Sequence, residues 1–222
     1  MTSFDEAWQR TYAQGRQLNK YPWSDVVSFV FRNKPDRPPA EVSILEVGCG
    51  SGPNLQFLAA EGFRAFGVDA SAAAVGVATE RLAARGLTAE VTVGDFAALP
   101  FADASMDLVI DRAALTHADA PAIARAVDEI GRVLKPGGAF LFTPFADSHA
   151  GFAQGKLDRN GTSTDIAATH LAGFQVTFFS HKDIAGLFGT GWRLVQCVRR
   201  EEADLLDPAN LFASWIVVAR KS

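Results

Sequence analysis

The chain has 222 residues, 48% of them hydrophobic, which is enough for one domain with a sizeable core. Its formal net charge of −4 excludes a general basic field for binding nucleic acid. Two cysteines are too few for a disulfide framework, and the sequence shows neither a signal peptide nor an apolar run of membrane-spanning length. We therefore expect a cytoplasmic protein that binds neither nucleic acid nor membrane.

The N-terminal region is predicted to form helices before the first strand. Helical patterning covers residues 4–12 and 24–31, with Ser24 as the expected N-cap of the second helix. Between them, residues 12–23 gather two tyrosines, a tryptophan, an arginine and a lysine around a glycine. This segment is either an amphipathic cover that packs on the sheet or an arm that closes over a ligand.

From residue 42 onwards, strand and helix patterns alternate. The predicted helices cover 53–61, 71–85 and 120–134, with a short helix near 96–98. The predicted strands cover 42–47, 64–69, 89–93, 106–111 and 138–144. Alternation of this kind with short turns requires crossover connections, and it predicts a parallel sheet.

The last third of the chain has a weaker pattern. Residues 145–178 are rich in Gly, Ser, Thr and Asp and show little periodicity. A stretch of this length is too long for an ordinary loop, so it is either functional or contains unrecognised elements. Beyond it we predict a helix over 181–188 that is capped by Ser180 together with Asp183. Two strands are predicted to follow, over 192–198 and 212–219.

The segment Leu45-Glu46-Val47-Gly48-Cys49-Gly50-Ser51-Gly52-Pro53-Asn54 is the most informative part of the sequence. It predicts the end of a buried strand, a glycine-rich turn and the start of a helix. Glycines carry no Cβ, so the backbone can turn sharply and approach a ligand closely. Such loops cradle nucleotide-like cofactors at the carboxyl edge of a parallel sheet. The dinucleotide fingerprint would need glycine at the position of Pro53, which makes a nicotinamide dehydrogenase a distant alternative.

Three further motifs follow in order. Asp69 ends the second strand, 21 residues after Gly48, which is the spacing of a carboxylate that binds ribose hydroxyls. Residues 94–96 (Gly-Asp-Phe) follow the third strand, and residues 133–141 lead into the fifth. Together with the glycine loop, these motifs over residues 42–145 resemble the class I S-adenosylmethionine (SAM)-dependent methyltransferases.

This resemblance implies an α/β fold. The expected sheet is Rossmann-like, mostly parallel and seven-stranded, with helices on both faces and an antiparallel C-terminal edge hairpin. We expect a single domain in four parts: an N-terminal helical cover over 1–40, a SAM-binding core over 41–145, an acceptor-binding insertion over 146–180, and a C-terminal helix and hairpin over 181–222.

The resemblance also implies a set of cofactor contacts. Asp69 would accept from the ribose, and Asp95 from the adenine amino group while its neighbour packs on the ring. Arg16 suits the methionine carboxylate through a bidentate pair. The expected cofactor is SAM, released as S-adenosylhomocysteine, and the expected binding residues are Tyr12, Arg16, Glu46, Gly48, Gly50, Gly52, Asn54, Asp69, Ala70, Asp95, Phe96 and Asp111.

A neutral hydroxyl acceptor needs a general base, and the candidates are Asp111, His117, His149, His170 and His181, of which the first three are favoured. His117 and His149 follow the fourth and fifth strands, at the sheet edge where ligands bind. Each also has a plain structural interpretation, as a residue that caps or packs a helix or as an exposed loop residue. Asp111 ends the fourth strand, where it could steady the SAM amino group, act as a base or bind a metal. The asparagine that completes a catechol-type magnesium site is missing, so we predict no metal.

The expected function is methyl transfer from SAM to an oxygen or nitrogen atom of a small molecule. The Asp/Asn-Pro-Pro-Tyr/Phe motif of enzymes that methylate DNA bases or glutamine is missing, which leaves a sugar, a lipid headgroup or a secondary metabolite as the acceptor. The alternative is a SAM-binding regulatory or partner protein that does not methylate. A homodimer is left open.

Overall fold

The computed structural model describes residues 6–167, 169–207 and 209–222. The helices are α1 (Glu6–Ala13), α2 (Ser24–Asn33), α3 (Pro53–Ala60), α4 (Ala72–Ala84), α5 (Ala120–Val133), α6 (Ala150–Gln154) and α7 (His181–Leu187), with 3-10 turns at Pro39–Glu41 and Leu115–His117. The strands are β1 (Ser43–Val47), β2 (Arg64–Asp69), β3 (Glu90–Val93), β4 (Met106–Asp111), β5 (Leu134–Phe142), β6 (Lys156–Leu157), β7 (Thr162–Thr164), β8 (Val176–Thr177), β9 (Trp192–Glu202) and β10 (Phe212–Lys221).

Seven strands form the main sheet in the order β3-β2-β1-β4-β5-β10-β9. All neighbours are parallel except β10, which pairs antiparallel with both β5 and β9. The predicted fold class is confirmed. The order in which successive strands are added to the sheet reverses between β1 and β4, because β1 has β2 on one side and β4 on the other. Val47 of β1 is in register with Val68 on one side and with Asp111 on the other. This switch point opens a crevice at the carboxyl edge, which is where open α/β sheets bind ligands.

Apolar side chains cover both faces of the sheet. One core contains Phe140 and Phe142 of β5 together with buried residues of α5 and α7. The other contains residues of α2 and α3, including Phe29 and Leu55. Helix α2 is therefore a packed part of the core, while α1 and the residues between α1 and α2 lie at the ligand edge.

Three local predictions were wrong. Ser24 begins α2 rather than capping it, because the N-cap position is Trp23 and no side chain caps the helix. Residues 96–98 form turns instead of a short helix, since Asp95 accepts from the backbone of Ala97 and Ala98 and holds the loop there. Strand β5 begins at Leu134, four residues before the predicted start, because Leu134 already pairs with Met106. The first residues of the predicted N-terminal helix, up to residue 5, lie outside the described part of the chain.

The weakly patterned segment contains regular structure after all. It forms α6 and a small antiparallel sheet in the order β6-β7-β8. Strands of two or three residues are too short to show a periodic pattern, which is why the sequence did not reveal them. Bridges from Phe145 to Ser214 and from Ala146 to Phe179 tie this segment to the carboxyl edge of the main sheet.

Candidate active site

The glycine loop between β1 and α3 has a backbone that other residues would strain. Gly48, Gly50 and Gly52 have φ values of 65°, 53° and 74°. A Cβ on Gly48 would lie 2.1 Å from the Cβ of Ala114, and one on Gly50 would lie 2.4 Å from the Tyr12 hydroxyl. The loop therefore excludes side chains for both conformational and steric reasons.

Asp69 fixes the loop at the end of β2. Its Oδ2 accepts from the Gly50 N–H at 2.8 Å, and its Oδ1 accepts from the Ser71 N–H at 2.8 Å. The residue is only 8% exposed, and burial raises its pKa. Each carboxylate oxygen retains a second lone pair, so a pair of ligand hydroxyls can donate to it without displacing the loop.

Glu46 and Asn54 form a buried polar pair below the loop. Asn54 Nδ2 donates to Glu46 Oε1 at 2.6 Å, and its Oδ1 accepts from the Trp23 N–H at 3.0 Å. Glu46 Oε2 is buried, and the described residues provide it with no hydrogen-bond partner. Burial raises the pKa of Glu46 to about 8. A buried polar atom without a partner is costly, so this oxygen suits a donor supplied by a ligand, such as an ammonium group.

Two adjoining cavities lie at this edge of the sheet. The smaller, of about 110 Å³, is lined by Asp69, Ala70 and Phe96 among others. The larger, of about 570 Å³, extends past Glu46, Gly50 and Asn54. They share the lining residues Trp8, Tyr12, Gly48, Arg112, Ala113 and His117.

Helix α1 forms the roof of both cavities. Trp8 and Tyr12 line each of them. Gln9 Oε1 accepts from the Ser71 hydroxyl at 2.7 Å, which ties α1 to the start of α4. On the other side, the Trp8 ring stacks on Phe174 with centroids 4.5 Å apart. The roof is therefore attached both at the cofactor side and at the segment predicted to bind the acceptor.

The larger cavity has an aromatic wall with a polar rim. The segment 146–180 contributes His170, Leu171 and Phe174. Strands β9 and β10 and the segment between α1 and α3 supply Trp23, Asp25, Arg200, Glu202, Phe212 and Trp215. Sequence reasoning missed most of these residues, because they come from segments far apart in the chain and share no local pattern.

Asp111 is not at the surface of either cavity. It is completely buried, and its Oδ1 accepts from the N–H groups of Ala114 and Leu115 at 2.9 and 2.8 Å. Burial raises its pKa to about 6. Oδ1 of Asp111 therefore caps the turn that carries His117, while its buried Oδ2 has no hydrogen-bond partner among the described residues.

His117 lies in the wall shared by the two cavities. Its Nδ1 is 3.0 Å from the carbonyl oxygen of Gln175, and Gln175 Nε2 donates back to the His117 carbonyl at 2.9 Å. A carbonyl oxygen can only accept, so Nδ1 carries the proton and Nε2 is the basic nitrogen of the neutral ring. The ring meets Trp8 edge to face at 4.9 Å, which holds its orientation.

His149 lies behind the cavity wall and is not one of the lining residues described for either cavity. It is the N-cap of α6, where its Nδ1 accepts from the Gly151 N–H at 2.9 Å. Its ring packs against Phe145, Phe178 and Phe212. Burial, and next the neighbouring His170, lower the pKa of His149 to about 4. Of His117 and His149, the structure thus brings only His117 to the cavities, while His170 also lines the larger one.

The buried His149 ring predicts that stability depends on pH. Its pKa falls from 6.5 to about 4 on folding, so the unfolded chain binds the proton first as the pH falls. Stability should be lost across that window, by roughly 2–3 kcal/mol. His149→Asn keeps an N-cap acceptor and should flatten the loss. The loss of stability is measured from the denaturant midpoints of the wild type and of His149→Asn at pH 7.5 and pH 5. Equal losses in the two proteins would contradict the assignment of the pH dependence to His149.

Four predicted cofactor residues are not among the described lining residues of either cavity: Arg16, Gly52, Asp95 and Asp111. Arg16 is exposed, and neither cavity has it among its described lining residues. Asp95 is half-buried and accepts from the Ala97 N–H at 2.8 Å. Its neighbour Phe96 lines the smaller cavity, whereas Asp95 is not among the described lining residues of either cavity. An arginine that the sequence did not indicate, Arg112, lines both cavities.

Replacing Asp69 tests the ribose contact. Asp69→Ala removes the acceptor at the end of β2, and we expect SAM affinity to fall by roughly 1–3 kcal/mol, the range for hydrogen bonds to a charged group. Asp128→Ala, which removes an exposed acid on α5, is the matched control. Calorimetry should show a loss in the first variant only, and unchanged affinity in Asp69→Ala would remove the residue from the cofactor site.

Comparison with known proteins shows a similarity to methyltransferases over part of the chain. Residues 44–138 match the family of methyltransferase domains. A probable S-adenosylmethionine-dependent methyltransferase of Mycolicibacterium smegmatis is 36% identical over 98 residues, which cover 44% of this chain and 36% of that relative. The names of other relatives include acceptors as different as a hydroquinone, sterols and tRNA. In each of three relatives compared, the part that aligns with this chain is about a third of the relative's own length.

Solved structures agree on the fold. A SAM-dependent methyltransferase of Methanosarcina mazei superposes with a TM-score of 0.72 at 23% identity, covering 90% of this chain and 98% of that one. The 1,6-didemethyltoxoflavin-N1-methyltransferase of Burkholderia thailandensis, solved with 1,6-didemethyltoxoflavin and S-adenosylhomocysteine, gives a TM-score of 0.67 at 18% identity, covering 98% and 86%. At such identities the likeness shows the fold alone.

Residues 44–138, which contain the glycine loop, Asp69 and strands β2 to β4, match a methyltransferase domain, and the sheet has the fold of the solved methyltransferase structures. Within the described ranges, no helix is long and apolar enough to cross a membrane. The same ranges contain no group of three or more His, Cys, Asp or Glu side chains that could hold a metal ion. The cytoplasmic location and the homodimer stay predictions.

Proposed function

We propose that this protein transfers the methyl group of SAM to an oxygen or nitrogen atom of a small-molecule acceptor bound in the larger cavity. The observation that carries the proposal is the continuity of the site. The cavity beside the glycine loop and Asp69 shares its wall, including His117, with a second chamber of about 570 Å³. A protein that only bound SAM would not need the part of this chamber that lies beyond the glycine loop, beside His170, Phe174 and Phe212.

The residues of the glycine loop and its neighbours suit the cofactor. Asp69 would hold the ribose hydroxyls, Phe96 would pack on the adenine, and Glu46 would receive the ammonium group of the methionine moiety. Bound SAM supplies an electrophilic methyl group, so the protein mainly has to align the acceptor with it. Alignment can contribute several kcal/mol to lowering the barrier, and the roof formed by Trp8 and Tyr12 keeps water out.

His117 is the proposed general base for a hydroxyl acceptor. Its Nδ1 proton is held by the carbonyl of Gln175, which leaves Nε2 as the nitrogen able to take a proton. The turn that carries it is fixed by Asp111. His149 is the weaker candidate, because its Nδ1 is used in capping α6 and its ring is buried behind Phe145.

The shape and charge of the larger cavity favour a small acceptor over a nucleic acid. Its wall contains aromatic rings that suit a flat or apolar body, and its rim contains Asp25 and Glu202. Asp25 is paired with Arg200, so the rim presents no excess of positive charge for a polyanion such as RNA. A sugar, a lipid headgroup or a secondary metabolite with a ring remains the expected acceptor.

Incubation with methyl-labelled SAM and a fractionated metabolite extract tests the proposal. We expect release of S-adenosylhomocysteine together with label in a small organic product. A protein that binds SAM without releasing S-adenosylhomocysteine under any fraction would support the regulatory alternative. Labelling of RNA in place of small molecules would overturn the acceptor class.

A further inference from the structure

The side chain of Arg112 is held in the shared wall of the two cavities in an unusual way. The guanidinium carbon lies 4.0 Å from the centroid of the Trp23 ring, within the range of a cation–π contact. Its Nε atom is completely buried. No residue in the described ranges forms a hydrogen bond or an ion pair with this guanidinium. The protein therefore keeps a charged group in the wall of a cavity without a polar partner.

None of the acids around Arg112 forms a hydrogen bond or an ion pair with it within the described ranges. Asp25 accepts from both terminal nitrogens of Arg200 at 3.1 Å. Oε1 of Glu46 accepts from Asn54, and burial raises the pKa of Glu46, which weakens its ability to neutralise a neighbouring cation. Asp111 uses one oxygen to cap its own turn. The positive charge of Arg112 is therefore not neutralised by a direct contact.

An arginine in this state is suited to an anionic ligand. Burying a charged group without hydrogen bonds is costly, and a partner that enters with the ligand would recover that cost. The face of the guanidinium is occupied by Trp23, so its N–H groups are the part left for a ligand. Guanidinium N–H groups lie in one plane and match the two oxygens of a carboxylate in a bidentate pair.

We propose that Arg112 is the carboxylate-binding residue of this site. The inference rests on the proposed function, because the carboxylate must arrive on one of the two ligands of a methyltransferase. It comes either from the methionine end of SAM, in which case Arg112 takes the role that the sequence suggested for Arg16, or from the acceptor. In the second case the acceptors are carboxylic acids with an aromatic or apolar body.

Calorimetry on the whole chain separates the two sources. S-adenosylhomocysteine and methylthioadenosine, which lacks the amino-acid end, are titrated into the wild type, Arg112→Gln and Arg112→Lys. Arg193→Gln, which changes an exposed arginine on β9, is the control. If the carboxylate is that of the cofactor, Arg112→Gln should weaken S-adenosylhomocysteine by about 10- to 100-fold and leave methylthioadenosine unchanged. Arg112→Lys should recover part of the loss.

The second arm uses benzoate, with benzamide as its neutral match. Each is titrated into protein that is saturated with S-adenosylhomocysteine. If the carboxylate belongs to the acceptor, benzoate should bind the wild type and the control but not Arg112→Gln, while benzamide should not distinguish them. Circular dichroism verifies that each variant is folded.

The proposal is overturned if neither S-adenosylhomocysteine nor benzoate depends on Arg112. The residue would then be a packing partner of Trp23 only. A wild type that does not bind S-adenosylhomocysteine at all would instead contradict the proposed function, so the two failures are distinguishable.

Discussion

Replacing His117 with glutamine should lower turnover by about two to four orders of magnitude, the usual contribution of a general base, and leave SAM affinity nearly unchanged. Glutamine can still donate a hydrogen bond towards the carbonyl of Gln175, so the turn should keep its shape. It has no nitrogen that can take a proton from a hydroxyl acceptor. Single-turnover rates with an identified acceptor, measured beside SAM binding, give the result.

His181→Gln is the matched control, because His181 is the exposed first residue of α7. Its turnover should stay near that of the wild type. If His117→Gln also keeps near-normal turnover with a hydroxyl acceptor, His117 is not the base and alignment alone carries the reaction. An amine that arrives deprotonated needs no base, so the acceptor atom must be known before the comparison is made.

Gly50→Val should abolish cofactor binding and leave the sheet folded. Its φ of 53° is unfavourable for a β-branched residue, and the added Cβ would lie 2.4 Å from the Tyr12 hydroxyl. The variant must distort the loop or displace α1, and either change should weaken SAM binding by at least about 100-fold. Calorimetry reports the affinity, and circular dichroism reports the fold.

Gly76→Val is the control for this substitution. Gly76 is exposed in α4, has no atoms within 4 Å of an added Cβ and has an ordinary helical backbone. It should bind SAM normally. Combining Gly50→Ala with Tyr12→Phe separates the two causes, because removing the hydroxyl relieves the clash but not the backbone strain. Normal SAM binding by Gly50→Val would show that the loop does not contact the cofactor.

The parts of the site that could be predicted from sequence are local ones. The glycines at 48, 50 and 52 are required by the backbone of a single turn, and Asp69 binds that turn through Gly50. Such requirements leave a fixed spacing in the sequence. The parallel sheet could also be predicted, because each strand and each helix leaves its own local pattern of apolar residues in the sequence.

The remaining parts depend on tertiary contacts. Residue type alone suggested that Arg16 would bind a carboxylate, but the fold leaves it exposed and places Arg112 in the cavity wall. Asp111 and His149 both follow strands at the ligand edge, yet their side chains are used to cap the next turn or helix. Whether a polar residue at a strand end faces a ligand or its own backbone is decided by the loop that follows.

The two attachments of α1 connect the two halves of the site. Gln9 bonds to Ser71 beside the cofactor cavity, and Trp8 stacks on Phe174 in the wall of the acceptor chamber. A movement of this one helix that frees either ligand also removes a wall from around the other. If the two cavities hold the cofactor and the acceptor as proposed, one movement of α1 would open both of them at once.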